Sequence, residues 1–103
     1  MAYRVMMSGP AADDREGTVA YLASTLSAPS AAAKFLDEFD KAVAMLSGNP
    51  RAGAVCSDTA LAERGYRKAL VGSYVAVYRV NDESQAVEIV RVFHQTQDYA
   101  RLL

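Results

Sequence analysis

The hydrophobic positions along this chain change period twice. A short apolar run at residues 3–7 stops at Ser8, Gly9 and Pro10, which predicts an opening strand and then a helix start. Beyond it the apolar positions recur every three to four residues. Val19, Leu22, Ala23 and Leu26 share one helical stripe, and Asp13, Asp14, Arg15 and Glu16 load the first turns with charge. This spacing predicts a helix of about four turns, weakened by Gly17. Residues 27–30 contain Pro29 and break the stripe. The run "AAAKFLDEFDKAVAMLSGNP" at 31–50 then predicts a second helix, with Ala32, Phe35, Leu36, Phe39, Val43 and Leu46 on its apolar face. Lys34, Asp37, Glu38 and Lys41 lie off that face, Gly48 supplies a stop, and Asn49 and Pro50 supply a turn. Two helices with so short a break between them predict an antiparallel hairpin.

Residues 51–65 hold no period and read as a loop with one short turn near Leu61. From residue 66 the period becomes two. Segments 66–71, 74–80 and 86–93 are rich in Val, Tyr and Ile and are separated by Gly72-Ser73 and by "NDES" at 81–84, which predicts a meander of three antiparallel strands. The tail from Gln97 is expected to add a helical turn. The order is therefore β-α-α-β-β-β: an α+β fold in which the helical hairpin packs on one face of a small, mainly antiparallel twisted sheet.

At 103 residues and 51% hydrophobic, the chain is expected to form one domain spanning residues 1–103. The net charge of −1 excludes the overall basic excess of proteins that live by gripping phosphates. The balance is nevertheless uneven. Residues 1–63 carry five Lys/Arg against eight Asp/Glu, and residues 64–103 carry six against four, so an anion is more readily met by the second part. A single cysteine, Cys56, rules out an internal disulfide and, with one histidine, supports no zinc cluster. No apolar run approaches membrane-spanning length and the opening residues lack a signal-peptide pattern, so a cytoplasmic protein without membrane contact is expected.

Candidate chemistry is sparse. On the last two strands Val75, Val77 and Arg79 alternate with Tyr74, Ala76 and Tyr78, and Val87, Ile89, Arg91 and Phe93 alternate with Glu88, Val90, Val92 and His94. Arg79 and Arg91 thus join otherwise apolar faces, either snorkelling at the sheet ends or contacting an anion. Arg67 and Lys68 extend the same cationic region. His94, the sole histidine, ends a strand pattern; it either transfers protons near neutral pH or caps backbone and packs beside an aromatic ring. Asp98 and Tyr99 lie where they could orient it. Cys56 and the serines sit in no nucleophile context, and no glycine-rich phosphate loop is present. Asp13, Asp14, Asp37, Glu38 and Asp40 read as solvated helix faces.

Taken together, "GYRKALVGSYVAVYRV", "VEIVRVFHQTQDYARLL" and the "NP" after the hairpin with Gly53 three residues on resemble the RelE/ParE superfamily of type II toxins over nearly the whole chain. The resemblance implies one of two mechanisms. RelE-like members cut mRNA on the ribosome, using basic residues and a late acid/base group on the concave sheet; ParE-like members poison DNA gyrase and need no nuclease site. Arg67 falls where the RelE-like pattern has a lysine. That pattern's strand arginine falls at Val75, with Arg79 further along the same face, and its later arginine falls at Gln95. The His-x-x-x-Asp-Tyr ending is more ParE-like. The resemblance therefore implies a growth-arresting toxin with DNA gyrase as the favoured target, its contacts drawn from Arg67, Lys68, Arg79, Arg91 and Asp98. The alternatives are a ribosome-dependent endoribonuclease using His94, Arg79, Arg91 and Tyr99, and an inactive toxin fold that only binds its antitoxin. All versions imply a cognate antitoxin encoded beside the toxin, whose partly disordered tail folds over it, and none calls for a cofactor or metal.

Overall fold

The computed structural model describes residues 2–97, 101 and 103. Strand β1 (Arg4–Met7) leads into helix α1 (Gly9–Ala20), a π-helical turn (Tyr21–Thr25) and helix α2 (Pro29–Gly48). A two-residue strand β2 (Ala54–Val55) and a short helix α3 (Thr59–Glu63) precede the meander of β3 (Arg67–Val71), β4 (Tyr74–Asn81) and β5 (Ala86–His94). The helical hairpin and the meander are those the periodicity predicts. Segment 51–65 is more ordered than expected: it holds β2 as well as the turn near Leu61, which is α3.

Local chemistry sets the boundaries. Ser8 caps α1, its Oγ accepting from the Ala11 N–H at 3.1 Å and donating to the Val90 carbonyl at 2.8 Å, so the cap also ties the helix start to β5. Pro29 occupies the first turn of α2, where its missing N–H costs nothing. Gly72, at φ +58°, opens the two-residue β3–β4 turn in the left-handed conformation that such hairpins need.

The sheet runs β1-β5-β4-β3-β2, with β1 parallel to β5 and the other neighbours antiparallel. One face packs on the hairpin, where Phe35, Phe39 and Leu46 of α2 meet Val71, Ala76, Tyr78, Val87 and Ile89. The opposite face carries a second apolar cluster of Leu61, Tyr66, Val75, Val77 and Phe93 with Cys56, joined by the partly buried Leu103. Leu26, expected on the core stripe of the first helix, is 52% exposed, because the helix loosens into the π turn before reaching it.

The strict alternation expected along β5 fails at a bulge. Tyr78 pairs with Ile89 but Val77 pairs with Arg91, leaving Val90 as the extra residue. Val87 and Ile89 therefore face the helices together with Val92, whereas Phe93 joins the second cluster. The expectation that Val87, Ile89, Arg91 and Phe93 share one face is corrected accordingly. None of the described helices is long and apolar enough to cross a membrane.

Candidate functional site

The bulge decides where the side chains of His94 and Arg91 go. Past it, His94 lies opposite Tyr74 and so faces the hairpin side, while Arg91 lies opposite Val77 on the other side. His94 closes a row of aromatic rings running out of the core. Phe39 and Phe35 have centroids 6.1 Å apart, Phe35 meets Tyr74 edge-on at 5.0 Å, and Tyr74 meets the imidazole edge-on at 5.1 Å. The imidazole Nδ1 accepts from the Thr96 N–H at 3.2 Å and lies 2.7 Å from the Thr96 hydroxyl. An N–H can only donate, so Nδ1 is an acceptor and the neutral ring carries its proton on Nε2. His94 has the packed, backbone-capping surroundings of a structural histidine.

Arg91 is held at the sheet edge. Strand β1 ends opposite Ile89, so the Val92 N–H has no strand partner; Asp14 of α1 takes its place, Oδ2 accepting from Val92 at 2.9 Å. The same carboxylate grips the guanidinium in a fork, Nε to Oδ2 at 2.7 Å and Nη2 to Oδ1 at 3.0 Å. The Asp14 carboxylate raises the pKa of Arg91, and the guanidinium also lies 4.7 Å from the Phe93 ring centroid. Asp14, read from sequence as a solvated helix residue, is thus the main partner of a candidate site arginine. Nothing in its spacing signals this, because the contact spans the length of the chain.

The remaining cations are distributed rather than convergent. Arg67 pairs across from Tyr78 on the hairpin side and donates to backbone carbonyls, Nε to Gly53 at 2.9 Å and Nη2 to Arg51 at 3.0 Å. Lys68 lies opposite Val77 on the other face. Arg79, also on that face, bonds Glu88 at 3.0 Å and stacks on the Tyr66 ring at 5.3 Å. Arg64 approaches the same ring at 5.1 Å. Neither Arg64 nor Tyr66 stands out in the sequence, where the Gly65 between them reads as loop. Asp98 and Tyr99 lie outside the described residues.

Two depressions flank Tyr74 and His94. One, of about 660 Å³, is lined by Asp13, Asp14, Thr18, Tyr21, Arg91 and Gln97 at the β5 edge, and it brings Arg91 and His94 to a common rim. The other, of about 490 Å³, lies between the hairpin and the β3–β4 turn and is lined by Tyr21, Leu22, Leu26, Phe35, Val71 and Tyr74. Burial raises the pKa of the Cys56 thiol, which keeps it protonated and unreactive at neutral pH. Among the described residues no group of His, Cys, Asp and Glu is arranged to hold a metal.

A family model described as the ParE toxin of the type II toxin-antitoxin system parDE matches residues 5–99. The chain is 38% identical to Toxin ParE1 of Mycobacterium tuberculosis over 72 residues, 70% of this chain and 69% of that one. Its structure is similar to that of the RelBE2 toxin–antitoxin complex of Mycobacterium tuberculosis, with TM-score 0.66, 28% identity and coverage of 94% of this chain and 95% of the other. A chain of the chromosomal ParDE system of P. aeruginosa shares the fold at TM-score 0.69 and 20% identity, with 90% and 96% covered. The α+β arrangement, with its helical hairpin on an open five-stranded mixed sheet, agrees with these likenesses, and the chain belongs to the ParE toxin family of type II toxin–antitoxin systems.

Proposed function

We propose that this toxin arrests growth by binding a protein target, DNA gyrase, without cutting RNA, and that a cognate antitoxin encoded beside it neutralises it. The observation that carries this reading is the state of the sheet face away from the hairpin. At the centre of that face, where a nuclease would need an open surface carrying a proton-transfer group, Val75, Val77 and Phe93 are buried in one apolar cluster with Leu61, Tyr66 and Leu103. His94 faces the hairpin side, packed on Tyr74, and meets Arg91 only at the rim of the depression at the β5 edge, where the guanidinium is paired with Asp14. A net charge of −1 also suits a protein target better than ribosomal RNA.

An antitoxin fits the apolar depression between the hairpin and the β3–β4 turn, where Tyr21 is 48% and Leu26 52% exposed. An amphipathic segment that orders on binding would cover these side chains. The mycobacterial and P. aeruginosa structures that this chain resembles come from toxin–antitoxin systems.

The test is a pair of assays on the purified toxin: supercoiling by DNA gyrase, and cleavage of mRNA on translating ribosomes. Inhibited supercoiling with intact mRNA is the expected result. Codon-dependent mRNA cuts with unaffected gyrase would overturn the reading, and restored growth on co-expression of the adjacent small open frame checks the antitoxin.

A further inference from the structure

Two guanidinium groups share one aromatic ring on the sheet face away from the hairpin. The Arg64 and Arg79 guanidinium carbons lie 5.1 Å and 5.3 Å from the Tyr66 ring centroid, and Arg64 Nη2 reaches the Tyr66 hydroxyl at 3.3 Å. Tyr66 itself is only 5% exposed, whereas both arginines are exposed. The ring therefore acts as a fixed base that orients two cations toward solvent. Local compensation of the two charges is incomplete. Arg79 has Glu88 at 3.0 Å, while Arg64 has no carboxylate partner among the described residues. Lys68, two residues along β3 from Tyr66 and on the same face, adds a third positive charge that forms no ion pair among the described residues.

An arginine at the end of a short helix commonly bonds the last helical carbonyls. Arg64 follows α3 directly, but its guanidinium is on Tyr66. That placement uses arginine's planar fork, which can stack on a ring with its face and still present N–H donors at its edge.

We infer that Arg64, Tyr66 and Arg79 form a docking platform for an acidic side chain of the toxin's protein target, a proposal that rests on the protein-target reading above. Carboxylate and phosphate both match the guanidinium fork, and two features favour the carboxylate. A platform for single-stranded nucleic acid needs an open aromatic face on which bases stack, and the Tyr66 ring is buried under guanidinium. A polyanion also meets a molecule of net charge −1, whereas one aspartate or glutamate meets only the local excess. Leu70, further along β3 on the same face and 69% exposed, leaves an apolar side chain open on the surface that a protein partner would cover. The Arg79–Glu88 pair is solvent-exposed at 47% and 41%, so exchanging Glu88 for a partner's carboxylate costs little.

The experiment compares the parent toxin with Arg64→Glu, with Arg64→Glu combined with Arg79→Glu, and with Arg64→Lys. Each is checked for melting temperature and antitoxin binding, then assayed for inhibition of purified gyrase and for growth arrest. Because Arg64 pairs with no described carboxylate, Arg64→Glu tests the platform even if the double variant folds poorly. The expected result is a rise of about tenfold or more in the concentration of Arg64→Glu needed for half inhibition. Arg64→Lys should fall between it and the parent, and the difference should narrow at high salt. Equal potency of parent and Arg64→Glu against gyrase would overturn the platform while leaving the target reading intact. If the parent arrests growth but spares gyrase, the gyrase assignment fails and growth arrest by Arg64→Glu decides: arrest lost supports the platform, arrest retained overturns it. Binding of a fluorescent oligoribonucleotide that the parent shows and Arg64→Glu loses would reassign the cations to phosphate and overturn the carboxylate proposal. A folded parent that neither arrests growth nor inhibits gyrase would overturn both.

Discussion

Asp14 and Arg91, far apart in sequence, form the bond that seats the first helix on the last strand. One carboxylate completes the edge of β5 by accepting from the Val92 N–H and neutralises the arginine beside it. Both side chains are largely withdrawn from water, at 30% exposure for Arg91 and 18% for Asp14. Asp14→Ala removes three charge-assisted bonds, and a loss of about 2 kcal/mol in unfolding free energy is expected. Chemical denaturation measures it. A change below about 0.5 kcal/mol would show that the edge is held by the Ser8 bonds alone.

Phe39 anchors the hairpin to the sheet, 3% exposed and adjacent to Phe35. Phe39→Ala should destabilise the protein by about 3–5 kcal/mol. An unchanged melting temperature would remove the residue from the core.

Gly53 admits no side chain. A Cβ there would collide with the Lys68 carbonyl and stand 2.6 Å from the Tyr78 hydroxyl, which already accepts the Gly53 N–H at 3.0 Å. Both obstacles are fixed, one being backbone and the other the end of a fully buried ring. Gly53→Ala should therefore cost about 1–3 kcal/mol, and hydrogen exchange should be faster at the amides pairing β2 with β3 than elsewhere in the sheet.

Replacement of His94 separates packing from proton transfer. The edge contact with Tyr74 makes it a packing residue, so His94→Ala should lower stability by about 1 kcal/mol and leave growth arrest within a few-fold of the parent. Removal of a general acid or base would instead cost about 10²-fold or more. Loss of arrest at matched expression and stability, with ribosome-dependent mRNA cuts made only by the parent, would establish the nuclease.

Asp82 gives the fold an acid-sensitive tie. It accepts from Tyr3 at 2.8 Å and from Arg51 at 2.8 Å and 3.1 Å, joining the chain start, the loop after α2 and the β4–β5 turn. The Arg51 and Tyr3 bonds hold its pKa below the ordinary carboxylate value. A depressed folded-state pKa means that the contribution is full above the unfolded-state value and disappears as pH falls through the folded one. The melting temperature of the parent should therefore exceed that of Asp82→Asn at neutral pH, and the gap should narrow as pH falls below about 4. A gap independent of pH would rule out the ion pair as its source.

Much of the fold was legible because burial on one side imposes a period. Phe35, Phe39 and Leu46 repeat at helical spacing because one side of α2 meets the sheet, and Val75 and Val77 alternate with Ala76 and Tyr78 because each side of β4 meets a different core. Strand β2 was hidden, since two residues carry no period and it exists only because β3 offers an edge. The bulge at Val90 was equally hidden: Val-Glu-Ile-Val-Arg-Val-Phe is apolar on both parities, so the pattern cannot report where the alternation slips. The site was less legible than the fold. His94, Arg67, Arg79 and Arg91 were visible as residue types, but their partners Tyr74, Gly53, Glu88 and Asp14 were not.

By itself the sequence determined the long helices and strands, their order and the family, because periodicity, turn residues and a run of matching strands are local properties of the chain. Tertiary structure decided which side chains are free to act. The one-residue bulge sends His94 to one side of the sheet and Arg91 to the other, and the packing of α1 along β5 supplies Asp14 as the arginine's partner. Charge pairing and facing depend on distances between residues remote in sequence, and those distances exist only once the chain has folded.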